Sequence, residues 1–177
     1  MTIKEAKDLY IKYDCSLFAM AREEKSKYEK YKILEISNEE EEKWKQEQFL
    51  NLSEQIKTTG DSITFNKMYN LSEKSKSKEN IGIMEKVLKY IKYDNLEIKV
   101  SVSETILGRK DISVRSGLVF WSYDLEEYDL ARRLLLFANN LLTSEISNSD
   151  ITPRVKRAIN KCNLLDEELN LKTHNNI

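Results

Sequence analysis

The most apolar stretch of the chain reads Leu130-Ala131-Arg132-Arg133-Leu134-Leu135-Leu136-Phe137-Ala138 and continues to Leu141-Leu142. Its apolar residues cover most sides of a helix, which is typical of a helix in the middle of a bundle. We therefore expect this helix to be central and buried. The rest of the chain is expected to supply the helices that pack around it.

The surrounding helices are predicted from a repeated pattern, in which a polar N-cap residue precedes apolar residues at helical spacing. Thr2 and Glu5 fit a capping box, and so do Ser37 and Glu40. Further helices are predicted from Ser16 to Leu34, from the acids after Ser37 to Gly60, after Asp61, from Ile81 to Asp94-Asn95, and after Pro153.

Residues 96–102 fit two kinds of secondary structure. They alternate strictly between apolar and polar side chains, as in a half-buried strand. Read at helical spacing, Leu96, Val100, Ser103 and Leu107 also form one stripe. Because both neighbouring segments are helical, we favour a helix and leave a short strand as the alternative.

The composition predicts an all-α fold of antiparallel helix pairs, stacked as an irregular bundle or a short α-solenoid. The 177 residues include four Gly and one Pro, too few for a turn-rich β-sandwich. We expect a single helical domain over 1–177. Within it, 1–73 and 79–171 could form sub-bundles joined by a polar linker at 74–78.

A short motif in the second half resembles the inner helix of HEAT-type repeats. Asp111-Ile112-Ser113-Val114-Arg115 precedes Leu118, and Asp150 precedes a looser copy at 153–158 with Arg and Val exchanged. The resemblance covers 111–169 and places Gly117 inside a helix. It implies stacked helix pairs. It also implies structural pairing of Asp111 and Asp150 with Arg115 and Arg154.

Several catalytic schemes lack the residues that they need. The only histidine, His174, lies in a polar C-terminal tail, which places it poorly for a nucleophilic triad. The four glycines, Gly60, Gly82, Gly108 and Gly117, are too widely spaced for a phosphate-binding loop. The sequence therefore favours a protein without a catalytic function and without a cofactor.

The two cysteines and the N-terminus indicate a cytoplasmic protein. Cys15 and Cys162 form no Cys-x-x-Cys motif, and the first eight residues carry charges throughout. No apolar run approaches the length of about 20 residues that a membrane span requires. We expect two reduced thiols and no membrane association.

The second half concentrates arginine and aromatic side chains, which are enriched in protein interfaces. Six of the seven arginines lie at or after residue 109. We predict a protein partner, in an adaptor, antagonist or immunity-type role, and a homodimer is also compatible. The predicted contact residues are Arg109, Arg115, Trp121, Tyr123, Arg132, Arg154 and Arg157. The alternative is that the arginines only flank a buried helix and Trp121 fills the core.

Two other functions stay open. The acids Glu39-x-x-Glu42 and Glu126-x-x-Asp129 resemble the Mg²⁺-binding motifs of all-α nucleotide pyrophosphohydrolases, although here they are far apart in sequence. Since these acids lie at predicted helix starts, the helix dipole also explains them. The arginines allow nucleic-acid binding as a further, less favoured function; the net charge of −1 gives no overall attraction to it.

Overall fold

A computed structural model describes residues 1–73, 76–108, 116–144 and 153–174, with side chains up to 170. All regular secondary structure in these residues is helical. The helices are α1 (Ile3–Lys12), α2 (Leu17–Glu23), α3 (Lys25–Lys32), α4 (Asn38–Thr59), α5 (Ser62–Ser72), α6 (Lys78–Leu88), α7 (Leu96–Leu107), α8 (Leu118–Asp124), α9 (Tyr128–Thr143) and α10 (Pro153–His174). The all-α prediction is confirmed.

The predicted caps begin and end several of these helices. Thr2 and Glu5 form the complete capping box of α1, in which each side chain accepts a hydrogen bond from the other residue's backbone N–H. The Ser37 hydroxyl accepts the Glu40 N–H at the start of α4, and Gly60 ends that helix. Asp61 caps α5 by accepting two backbone N–H groups. Local polar chemistry therefore fixes these boundaries.

Residues 96–102 belong to α7, so the strand alternative is wrong. The Asn95 side chain accepts the Ile98 N–H and starts the helix. α7 lies in the middle of the bundle and contacts α5, α8, α9 and α10. Because partners cover several of its sides, Val100 and Val102 are both buried. This burial explains the alternation that resembles a strand.

The helix expected from Ser16 to Leu34 is broken into α2 and α3. The break lies at Glu24, where φ is −137° and ψ is 66°. The Glu24 carboxylate accepts hydrogen bonds from Lys12, at 2.6 Å, and from Lys27, which lower its pKa to about 2. The change of direction lets Tyr31 stack on Tyr10 of α1, with ring centroids 6.0 Å apart. Tertiary packing has overridden the helical periodicity here.

Helix α6 also ends earlier than expected, at Leu88 instead of Asp94-Asn95. The Tyr93 hydroxyl donates to the carbonyl of Leu88 at 2.9 Å, and the Lys92 N–H donates to the carbonyl of Gly60 at 3.0 Å. These two bonds hold residues 89–95 against the end of α6 and against the α4–α5 turn.

The buried side chains form two clusters. The smaller one contains residues of α1, α2 and α3 together with Cys15 and Trp44. The larger one begins with Phe49 and continues to Leu169. Helix α4 contributes to both, and Leu71 packs against both. The clusters therefore meet along α4, whereas the linker predicted at 74–78 lies partly outside the described residues.

A close contact between the backbones of Gly108 and Gly117 lies at the start of α8. Gly117 immediately precedes Leu118, so it lies before the helix and not inside it. The Gly117 N–H donates to the Tyr69 hydroxyl at 3.1 Å, and Gly117 lies directly against Gly108. The HEAT-type motif at 111–115 lies outside the described residues.

The apolar stretch at 130–142 forms most of α9 but is not buried on all sides. One side packs into the larger cluster through Leu130, Ala131, Leu134, Leu135, Ala138 and Leu142. On the other side, Leu136 is 60% exposed. The expectation of a central and buried helix therefore agrees with the first side and is wrong for the side that carries Leu136.

Candidate functional site

Trp121, a predicted contact residue, lies in the core. It is 1% exposed, and its ring stacks on Tyr69 with a centroid distance of 4.5 Å and an angle of 4° between the planes. The ammonium of Lys76 lies 5.3 Å from the centre of the Trp121 ring and covers it. The indole of Trp121 is thus part of the core and is not accessible to a partner.

Arg154 is held within the bundle by two carboxylates. Its guanidinium donates twice to Glu104 of α7, at 2.9 and 2.7 Å, and once to Glu97. These hydrogen bonds raise the pKa of Arg154 and tie the start of α10 to α7. The aspartates that the HEAT resemblance pairs with it, Asp111 and Asp150, lie outside the described residues.

The other predicted contact residues are dispersed. Arg157 is exposed one turn after Arg154, and Tyr123 is half-buried with its ring against Tyr128 at 5.6 Å. Arg132 lies on α9 beside α10. Arg109 and Arg115 lie outside the described residues. The described members of the predicted set thus lie on three helices, with Trp121 and Tyr123 on α8, Arg132 on α9, and Arg154 and Arg157 on α10.

The acids of the magnesium alternative are all exposed. Glu39 and Glu42 lie at the start of α4, and Glu42 pairs with Lys45. Glu126 and Asp129 lie at the start of α9. Across 1–73, 76–108, 116–144 and 153–170, no three His, Cys, Asp or Glu side chains come together as a metal site would require. The described residues therefore include no cluster of ligands for the Mg²⁺ ion of the nucleotide-hydrolase alternative.

The exposed side of α9 holds Leu136 between two grooves. We call it the α9 face; it consists of Arg132, Arg133, Leu136, Phe137, Asn139 and Asn140. Leu136 projects from its middle, with arginines one turn before it and asparagines one turn after it. A leucine with this exposure on an otherwise core-forming helix leaves apolar surface in water.

A groove runs along each side of Leu136. The α9–α10 groove has a volume of about 380 Å³ and is lined by Arg132, Leu135, Leu136, Asn139, Cys162, Asn163, Asp166 and Asn170. The α6–α9 groove has a volume of about 360 Å³ and is lined by Glu85, Leu88, Lys89, Arg133, Leu134, Leu136, Phe137 and Asn140. The α9–α10 groove is lined mainly by polar residues, whereas apolar residues make up half of the lining of the α6–α9 groove.

The charged residues beside the grooves carry both signs. Arg133 donates to Glu85 twice, at 2.6 and 3.1 Å, and this pairing raises the pKa of Arg133. The other groove contains Arg132 and Asp166. Cys162 also lines this groove, but burial raises the pKa of its thiol to about 12. Cys162 is therefore protonated at neutral pH and is unsuited to nucleophilic chemistry.

Sequence reasoning named Arg132 but missed Leu136 and Glu85. One signal could have identified the face. The pairs Arg132-Arg133 and Asn139-Asn140 are seven residues apart, which places both on the same side of a helix. Polar pairs at this spacing show that the helix has a solvent side, and that Leu136 lies on it. Glu85 carries no comparable signal, because its pairing depends on how α6 packs beside α9.

Comparison with known proteins gives no match: neither a protein-family model, nor a curated protein, nor a solved structure is similar to the chain. Among the described residues, no helix has the length and apolar character that crossing a membrane requires.

Proposed function

We propose that this chain is a non-catalytic protein that binds a protein partner through the α9 face, in an adaptor or antagonist role such as an immunity-type inhibitor. The observation that carries the proposal is Leu136, 60% exposed between two grooves. Fully burying an exposed leucine side chain contributes about 1.5–3 kcal/mol, and a partner would gain the part of this that corresponds to the exposed fraction of Leu136.

The polar residues around Leu136 support a protein as the ligand. Arginine and aromatic residues are enriched where proteins meet, and Arg132, Arg133 and Phe137 adjoin the leucine. Nucleic acid is a weaker candidate, because the guanidiniums of Arg133 and Arg154 are engaged by carboxylates of the chain itself. Phosphate binding requires cations that are available to the backbone of the nucleic acid.

The cytoplasm is the location that we propose for this function. Cys15 and Cys162 are both free and buried, which suits a reducing compartment. Stacking of helix pairs in the manner of HEAT-type repeats over 111–169 belongs to the same proposal, because such stacks commonly serve as protein-binding scaffolds.

Capture from lysate tests the function. The chain, with an affinity tag, is incubated in a lysate of its source cells, and bound proteins are identified by mass spectrometry. L136E places a charge in the middle of the α9 face, so we expect the specific partner to be lost. L50E is the matched control, because Leu50 is 44% exposed on α4, away from both grooves.

Two results would contradict the proposal. One is a set of captured proteins that L136E leaves unchanged. The other is hydrolysis of a nucleotide with Mg²⁺ by the purified chain in the absence of any captured partner, which would favour the carboxylates of the magnesium alternative. E39Q and E42Q would then be the variants to compare.

A further inference from the structure

Helices α2 and α3 bury few side chains compared with the helices of the larger cluster. We call residues 3–32 the α1–α3 unit. All of its residues lie in the described range 1–73, where Tyr31 is the only buried residue of α3 and Met20 the only one of α2. In α8, by contrast, five of the seven residues are buried. Because burial of apolar area is the main source of stability, less free energy is needed to open α2 and α3 than to open α8.

The α1–α3 unit is joined to the rest of the chain mainly along α4. Helix α1 packs on α4, whereas α2 and α3 pack mainly on each other. Within the described residues, Trp44 is the one buried member of the smaller cluster that lies outside the unit. The ring of Trp44 lies 6.1 Å from that of Tyr10, and the Tyr31 hydroxyl donates to Glu41 at 2.9 Å. The apolar contact between the unit and α4 is therefore small.

The ion pairs across the same boundary are open to water. Lys7 of α1 pairs with Glu47 of α4, and their side chains are 32% and 42% exposed. Asp14 and Lys67 lie 4.0 Å apart and are more exposed still. Ion pairs in contact with water contribute little to stability and are weakened by salt. These pairs therefore add little to the free energy that opening would require.

We propose that the α1–α3 unit opens away from α4 while the larger cluster stays folded, so that Trp44 and Cys15 become exposed. In the closed form Trp44 and Cys15 are both buried. The opening is a conformational change built into the fold, because it makes available a side of α4 that the closed form covers. It does not depend on the α9 face, which belongs to the larger cluster.

The test compares two protection factors in the unchanged full chain. The first is the rate at which iodoacetamide alkylates Cys15 in concentrated urea, divided by the rate in buffer. The second is the hydrogen-exchange protection of the slowest amides of α7 and α8, measured by mass spectrometry. Alkylation of a buried thiol requires the cluster around it to open, which fraying of an exposed helix does not achieve. We expect the protection factor of Cys15 to be lower by about tenfold or more.

A variant of the unit separates the two clusters further. Y31A removes the ring that stacks on Tyr10, so the protection factor of Cys15 should fall by about tenfold or more. The amides of α7 and α8 should keep their protection. Y90A is the matched control, because Tyr90 is 40% exposed and lies outside the unit. It should leave both protection factors unchanged.

Two outcomes overturn the inference. A protection factor for Cys15 equal to or above that of the α7 and α8 amides would show that the two clusters open together. A Y31A variant in which both protection factors fall equally would show that the α1–α3 unit cannot open without the larger cluster.

Discussion

At Gly108 and Gly117 the backbone passes so close to itself that no side-chain carbon fits. A Cβ on Gly117 would lie 2.2 Å from the Gly108 nitrogen and 2.6 Å from the Leu107 carbonyl carbon. The φ angles of 87° and 97° are also ones that L-residues with side chains avoid. These two glycines therefore determine how α7 and α8 meet, although the sequence indicates only that they cannot form a phosphate loop.

Replacing one of these glycines should destabilise the fold strongly. G117A combines an unfavourable φ with contact against backbone atoms that cannot move aside, so we expect a loss of about 3 kcal/mol or more in the free energy of unfolding. G82A is the matched control, because Gly82 lies inside α6 with nothing within 4 Å of an added Cβ. This control should gain up to about 1 kcal/mol from helix propensity.

Urea denaturation followed by circular dichroism measures both changes. Equal stabilities for G117A and G82A would show that the backbones around Gly108 and Gly117 can separate without cost.

At the scale of helices, the sequence predicts starts better than ends and packing. Helix starts can be recognised in the sequence because an N-cap side chain bonds to backbone N–H groups within one turn, as at Thr2, Ser37 and Asp61. The break at Glu24 and the early end of α6 depend on residues far along the chain, such as Tyr10 and Gly60. The exposed side of α9 is likewise set by which helices pack beside it. Spacing alone carries no information on these contacts.

The start of α10 provides a test of packing between helices. The two carboxylates that bind Arg154 differ in exposure: the Glu104 side chain is 22% exposed and the Glu97 side chain 74%. We expect E104A to cost about 1–2 kcal/mol, because the bond is bidentate and partly buried, and E97A to cost no more than about 0.5 kcal/mol.

A double-mutant cycle of each glutamate with R154A isolates the two pairings. The measurement is again urea denaturation, and a coupling energy for Glu97 as large as that for Glu104 would contradict the assignment.

At the scale of the whole molecule, both core clusters include residues of α4. Both also favour the protonated forms of cysteine thiols and tyrosine hydroxyls. Burial raises the pKa of Cys15 to about 11 and that of Cys162 to about 12, from an ordinary value of 9.0. One thiol lies in each cluster. Burial also raises the pKa of Tyr10 in the smaller cluster and of Tyr93 beside the larger one. Both clusters therefore favour protonated side chains.

Stability should consequently fall in alkali. Above about pH 9 the thiols of the unfolded chain ionise while those of the folded chain stay protonated, so unfolding releases protons and becomes easier as the pH rises. We expect the midpoint of thermal unfolding to decrease steadily between about pH 9 and pH 11. The double variant C15A/C162A should show a shallower decrease, whatever its stability at neutral pH. An equal slope in both proteins would show that the thiols do not contribute.

The contact of Gly108 with Gly117 also bears on how the chain folds. The two residues are nine positions apart in sequence, and bringing together residues so close along the chain costs little conformational entropy. Contacts that are local in sequence favour fast folding. The pairing of Arg154 with Glu104 joins residues 50 positions apart and carries a larger entropic cost. We therefore expect α7 and α8 to meet before α10 docks.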